Sequence, residues 1–143
     1  MRETGFRAGR AIGGGALYAG GVFGFAFITG AIRTILVAEN LGVSPLAGAL
    51  LELPLILMIA WGLCELAIDQ TRAPADIGTR AVMGATALAV IVGAEILVTL
   101  LATGRDTAAF VASYQQPEAL LGLGGQILAA LFPLLQMKRR LPD

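Results

Sequence analysis

Four strongly polar side chains interrupt long apolar stretches of this sequence: Arg33, Glu52, Glu95 and Gln126. Glu52 stands in the stretch GALLELPLIL (residues 48–57), where it is the one ionisable residue. Carboxylates accept cations or protons, and a guanidinium pairs with a carboxylate through up to two parallel hydrogen bonds. Because two glutamates face a single arginine in this set, one carboxyl lacks a counter-ion. The residue types therefore predict a site that exchanges protons or binds a small solute or cation.

Other chemistries lack the residues that they require. Histidine, the commonest metal ligand and the usual axial ligand of haem, is absent from the sequence. The single cysteine, Cys64, lies in an apolar run and is interpreted as a small buried hydrophobic residue. The glycines at 13–15 lack the lysine of a phosphate-binding loop, and Ser44 and Ser113 lack a histidine base. We therefore expect no metal and no cofactor, and the sequence favours a protein that is not an enzyme.

The overall composition indicates the solvent that surrounds these side chains. Of the 143 residues, 57% are hydrophobic and 14% are charged, whereas about 25% of a soluble domain is charged. The mean hydropathy is +0.79. The chain is therefore predicted to be an integral membrane protein in contact with the lipid bilayer. Ten basic and ten acidic residues cancel, so we expect no nucleic-acid partner.

Four stretches are long and apolar enough to form membrane-spanning helices, each of which needs about 20 residues. They run over approximately residues 11–37, 46–68, 80–101 and 120–136. The connections are too short to hold a soluble domain, so residues 1–143 are predicted to form a single membrane domain. The expected fold is all-α, a four-transmembrane-helix bundle, with an additional short surface helix between Asp106 and Pro117.

The distribution of basic residues predicts the orientation of the bundle. With both termini in the cytoplasm, eight of the ten basic residues fall on the inner side, and only Arg33 and Arg105 fall toward the outside. This bias follows the positive-inside rule and requires an even number of spans. We therefore expect a multi-pass protein of a bacterial inner (cytoplasmic) membrane. The apolar run that follows Arg10 is too long for a signal peptide, so the first helix is predicted to be retained.

The polar side chains of the four spans are predicted to lie at one depth. With a rise of 1.5 Å per residue, they fall roughly 6–10 Å below the outer boundary. A charge near the bilayer centre costs about 2.5–3.5 kcal/mol, so these groups should converge inside the bundle. Pro54 would bend the second span and expose a backbone carbonyl at this level. The predicted ligand- or ion-binding residues are Arg33, Glu52, Pro54, Glu95 and Gln126.

Small residues recur every four positions along two of the spans. The first span has Gly20 and Gly24, and the third has Ala85, Ala89 and Gly93. Such rows let helices approach closely in a membrane. Two interpretations stay open, helix contacts within the chain or the interface of a homodimer. Glu95 lies nearly opposite the row on its own helix, which favours an oligomer or a membrane protein partner.

Three functional hypotheses follow from these residues. In the first, the chain is a small transporter or channel-like protein that binds a small solute or ion through its polar cluster. In the second, it is a non-catalytic accessory or assembly subunit of a larger membrane complex, where the same charges fix the register of the helices. In the third, it is a membrane-embedded lipid-modifying enzyme.

Overall fold

The computed structural model describes residues 2–33, 35, 42, 44–104 and 107–137. Within these residues the chain forms five helices, namely α1 (Arg2–Ile32), α2 (Pro45–Thr71), α3 (Ile77–Thr103), α4 (Thr107–Ser113) and α5 (Pro117–Leu135). Four of them are long and apolar enough to cross a membrane: α1 from Arg7, α2, α3 as far as Leu101, and α5. The predicted all-α bundle with four candidate membrane spans is confirmed. Most of the predicted first connection, residues 39–45, lies outside the described residues.

The ends of the long helices follow local capping rules. Helix α2 starts at Pro45, whose missing N–H is not needed in the first turn. The Ser44 side chain accepts a hydrogen bond from the Ala47 backbone N–H at 3.3 Å. Helix α3 ends at Gly104, which adopts the left-handed conformation with a φ of 63°. Single residues of the sequence therefore define the start of α2 and the end of α3.

A five-residue connection, residues 72–76, joins α2 to α3. Arg72 leaves α2 in the left-handed conformation, with a φ of 49°. Asp76 then caps α3, because its two carboxylate oxygens accept hydrogen bonds from the Thr79 backbone N–H at 2.9 Å and hydroxyl at 2.6 Å. These bonds stabilise the ionised carboxylate and lower the pKa of Asp76. So short a connection makes the two helices run in opposite directions.

The four long helices form a bundle in which α1 packs mainly against α2 and α3, and α5 packs mainly against the same two helices. Helices α1 and α5 thus occupy opposite corners of the bundle. The Tyr18 hydroxyl of α1 connects these corners by donating a hydrogen bond to the Ala129 carbonyl of α5 at 3.0 Å. Gly21 contacts Leu63, while Arg33 contacts Gly48, so α1 and α2 are antiparallel.

The two halves of the bundle are packed differently. The half that contains Tyr18, Cys64, Ile68 and Met83, which we call the packed half, holds side chains with less than 2% of their surface exposed. Cys64 is fully buried there, as the sequence predicted. The other half contains Arg33, Glu52, Glu95 and Gln126, and we call it the open half. All four of these residues are incompletely buried.

The close helix contacts do not use the small residues that the sequence singled out. A Cβ atom on Gly15 would collide with Thr86, and one on Gly84 would collide with the backbone carbonyl of Ala130. In contrast, the predicted packing residues face outward or have open space around them: Gly20, Gly24, Ala85, Ala89 and Gly93. A spacing of four residues identifies a row on a helix but not the side toward which it faces. Among the described residues, the closest contacts between helices are therefore made at other glycines.

Substitution of Gly84 should test this packing directly. In Gly84→Ala the added Cβ meets a backbone carbonyl that cannot rotate away, so we expect a loss of about 1–3 kcal/mol in the free energy of unfolding. Gly93→Ala is the matched control, because it adds the same methyl group to the same helix in open space. Reversible unfolding in mixed micelles measures both values. Equal stabilities of the two variants would contradict the observed face of α3.

Candidate functional site

A cavity of about 560 Å³ lies in the open half of the bundle, between all four long helices. All four polar residues that were predicted to share a depth line it, together with Thr99 and Glu118. Most of the remaining lining residues are apolar. A few polar groups in a largely apolar pocket of some 300–1,000 Å³ are typical of sites for small molecules.

One side of the cavity carries an ion pair between Arg33, which directly follows α1, and Glu52 of α2. Arg33 Nε lies 3.0 Å from Glu52 Oε2, and the two side chains are 34% and 13% exposed. Nη1 of Arg33 donates to the Pro45 carbonyl at 3.4 Å instead of completing a bidentate pair. Gly48 provides room for this arrangement, because the Arg33 side chain lies against it. The predicted pairing is present, but through one nitrogen only.

The opposite side of the cavity carries a pair between α3 and α5. Gln126 Nε2 donates a hydrogen bond of 2.5 Å to Glu95 Oε1. The partner of this glutamate is therefore a neutral amide and not a cation. Because the amide nitrogen faces Glu95, the amide oxygen of Gln126 faces elsewhere. That oxygen is buried and has no hydrogen-bond partner in the part of the chain that the structure describes.

The predicted polar cluster is thus two pairs, one on either side of a shared cavity. Glu118 adds a third carboxyl that the sequence analysis did not select. It occupies the first turn of α5, eight residues before Gln126, so the two side chains leave the helix about 80° apart and can both reach one broad side of it. That spacing was the signal by which it could have been found. Among the described residues, the cavity is therefore lined by three carboxyl groups and one guanidinium.

Pro54 does not belong to this site. It is exposed and does not line the cavity, although Glu52, Leu53 and Ile56 do. Two residues along a helix correspond to a rotation of about 200°, so Pro54 faces away from the side on which Glu52 lies. Helix α2 continues through it. Pro54 therefore lies outside the lining of the cavity, unlike the other four predicted binding residues.

Two aromatic rings contribute to the apolar lining. Phe23 and Phe27 of α1 stack with their ring centroids 6.1 Å apart and an interplanar angle of 27°. Both rings line the cavity. Their negatively polarised faces are suited to contacts with positively charged groups.

Tightly packed side chains close the cavity toward the packed half. Val22, Ile91 and Ala129 line the cavity and also belong to the buried core. Beyond them lies the hydrogen bond between Tyr18 and the Ala129 carbonyl. The cavity therefore ends partway through the bundle.

The packed half contains a buried arginine, Arg80, whose burial the sequence does not predict. Arg80 is 1% exposed, and its Nη2 donates to the Ala73 carbonyl at 3.1 Å. Its Nε and Nη1 atoms have no hydrogen-bond partner among the described residues. Because Arg80 stands at the start of a predicted span, the sequence alone predicts that it lies at the inner boundary of the membrane. It does not line the cavity.

Across the described ranges, no group of three or more cysteine or acidic residues is arranged to hold a metal ion. Comparison of the chain with protein-family models, curated proteins and solved structures finds no match. Inferences about activity therefore depend on the geometry of the cavity.

The ion pair can be measured by a double-mutant cycle with Arg33→Gln and Glu52→Gln. Since Arg33 is about one-third exposed, solvent screens the pair, and we expect a coupling free energy of about 1 kcal/mol. The control cycle combines Arg33→Gln with Glu65→Gln, because Glu65 lies on the same helix as Glu52 but is exposed in the packed half. Unfolding in mixed micelles gives both couplings. The pairing would be refuted if the two cycles gave the same value.

Proposed function

We propose that the chain binds a small solute or ion in the cavity of the open half and moves it across the membrane, with Glu95 as the group that exchanges protons. The observation that carries this proposal is a cavity of about 560 Å³ between the four candidate spans, whose lining includes charged and amide side chains such as Arg33, Glu52 and Glu95. Leaving such groups in hydrocarbon is costly. Their presence is explained if water or a ligand reaches them.

The incomplete pairing distinguishes this proposal from a purely structural role for the charges. Charges that only hold helices together gain most when every donor and acceptor is satisfied. Here the Gln126 amide oxygen has no partner within the described residues, and Glu95 is paired with an amide. Both observations favour a site that completes its hydrogen bonds with something other than the protein.

The shape of the cavity supports a mechanism with access from one side at a time. The open half admits the solute, while the packed half blocks its exit. Passage would then require the contacts around Tyr18 and Ala129 to separate. We propose that this structure represents the state that is open toward the end that carries Arg33 and Glu118.

Orientation is the second part of the proposal: both termini face the cytoplasm of a bacterial inner membrane, and the cavity opens outward. The excess of basic residues near the packed half supports it. Fluorescent-protein and alkaline-phosphatase fusions at each terminus test this orientation. We expect fluorescence and no phosphatase activity at both ends. Phosphatase activity at either end would refute it.

A second candidate function, that of an accessory or assembly subunit, is supported by a different observation. The rows of small residues on α1 and α3 face outward, with open space beside Gly20, Gly24 and Gly93. Small residues on an outer face allow another helix to approach closely. Such a helix would belong to a second copy or to another membrane protein.

Flux through liposomes separates the two functions. Purified protein is reconstituted with pyranine inside the vesicles, and proton entry is followed after a pH gradient is imposed. We expect the native chain to accelerate proton entry. Glu95→Gln should reduce the rate of entry at least tenfold, because an amide does not gain or lose a proton near neutral pH. Glu65→Gln removes a carboxyl in the packed half and should leave the rate unchanged. Entry no faster than in protein-free vesicles would contradict transport and favour the accessory function.

A further inference from the structure

We infer that the ligand of the cavity is an amphipathic organic cation, with an ammonium or guanidinium group that carries N–H donors and an attached apolar body. This inference rests on the proposed function, because it specifies the solute of that same cavity. Three features of the lining support it, namely its charge, its hydrogen-bond acceptors and its apolar surface.

The charge of the lining favours a cation. Of the residues that the structure describes, three acidic ones, Glu52, Glu95 and Glu118, line the cavity together with one basic residue, Arg33. Arg33 is 3.0 Å from Glu52 and neutralises that carboxylate. Glu95 has a neutral partner, Gln126. An anion entering this cavity would meet uncompensated carboxyl groups, whereas a cation would pair with them.

The hydrogen-bonding groups on the α3–α5 side of the cavity favour a ligand that donates hydrogen bonds. Glu95 presents a carboxylate, which only accepts hydrogen bonds when ionised. Gln126 Nε2 donates to one of its oxygens, Oε1, and an ionised carboxylate has further acceptor sites for a ligand. These acceptor sites match the several N–H donors of an ammonium or guanidinium group. A ligand without donors would gain no hydrogen bond from this carboxylate, at a cost in affinity.

The remaining surface favours an organic ligand over a bare metal ion. Apolar side chains predominate in the lining, and the stacked rings of Phe23 and Phe27 lie among them. Aromatic faces attract organic cations and contact apolar bodies at the same time. A volume of about 560 Å³ is also far larger than one ion requires. An apolar body of one or two rings would fill the space that the polar pairs leave.

Four indole compounds with similar bodies test the inference: tryptamine (an ammonium), N,N,N-trimethyltryptammonium (a cation without ammonium N–H donors), tryptophol (neutral) and indole-3-acetate (an anion). Binding to the full chain in micelles is measured by titration calorimetry, with empty micelles as the blank. We expect tryptamine to bind at least tenfold more tightly than tryptophol, trimethylation to weaken binding, and indole-3-acetate to bind least.

Variants connect this preference to the cavity. Glu95→Gln should reduce tryptamine affinity to that of tryptophol, while Glu65→Gln should leave it unchanged. The near-isosteric change at Glu95 retains a hydrogen-bonding partner for Gln126, and thermal unfolding of each variant confirms that it is folded. If Glu65→Gln and Glu95→Gln reduced binding equally, the cation would not be held in this cavity.

The possible results distinguish an error in the proposed class of ligand from an error in the proposed transport function. A preference for tryptophol or indole-3-acetate, or no binding of any compound, would overturn the organic-cation inference. A phospholipid that stays bound in native mass spectra, and that tryptamine does not displace, would overturn it as well. Proton flux that depends on Glu95 would support transport in each of these cases, whereas its absence would refute transport without reference to indoles.

Discussion

A polar group inside a membrane needs a partner, because hydrocarbon offers no hydrogen bonds. This constraint organises the open half of the bundle. Arg33 reaches Glu52 on the neighbouring helix, and Gln126 reaches Glu95 across another helix contact. Each pair joins two helices, so the four spans are connected at one level without a covalent link. The space between the two pairs is the cavity in which we propose that the ligand binds.

The packed half holds fully buried side chains and close backbone contacts between helices. Gly15 and Gly84 allow backbones to approach side chains or carbonyls directly, and the Tyr18 hydroxyl connects opposite corners of the bundle. Close contact of this kind gains dispersion energy, which is the principal source of helix association in lipid. A bundle that is tight at one end and hollow at the other can bind a ligand without losing its fold. We regard this asymmetry as the structural basis of access from one side.

The sequence predicts the four candidate spans, and it predicts one level for the four polar residues that line the cavity, because both predictions depend on helix rise alone. It failed where the direction of a side chain around the helix mattered. Pro54 and the row containing Gly20 face outward, which spacing along one helix cannot reveal without knowledge of its neighbours. Arg80 was assigned to the membrane boundary from its position in the chain, yet the fold buries it. The position of a residue along its helix follows from the sequence of that helix. The side of the helix that faces the cavity depends on how all the helices pack.

The central claim is that water reaches the cavity while the outer faces of the same helices meet lipid. Cysteine labelling tests it in a chain in which the buried Cys64 is replaced by alanine. Ala26 lines the cavity, whereas Ile28 is exposed on the outside and lies about 3 Å closer to the open end. Thiolates form in water and not in hydrocarbon, so Ala26→Cys in liposomes should react with a hydrophilic maleimide and Ile28→Cys should not. An unreactive cysteine at 26, or faster reaction at 28, would contradict the account.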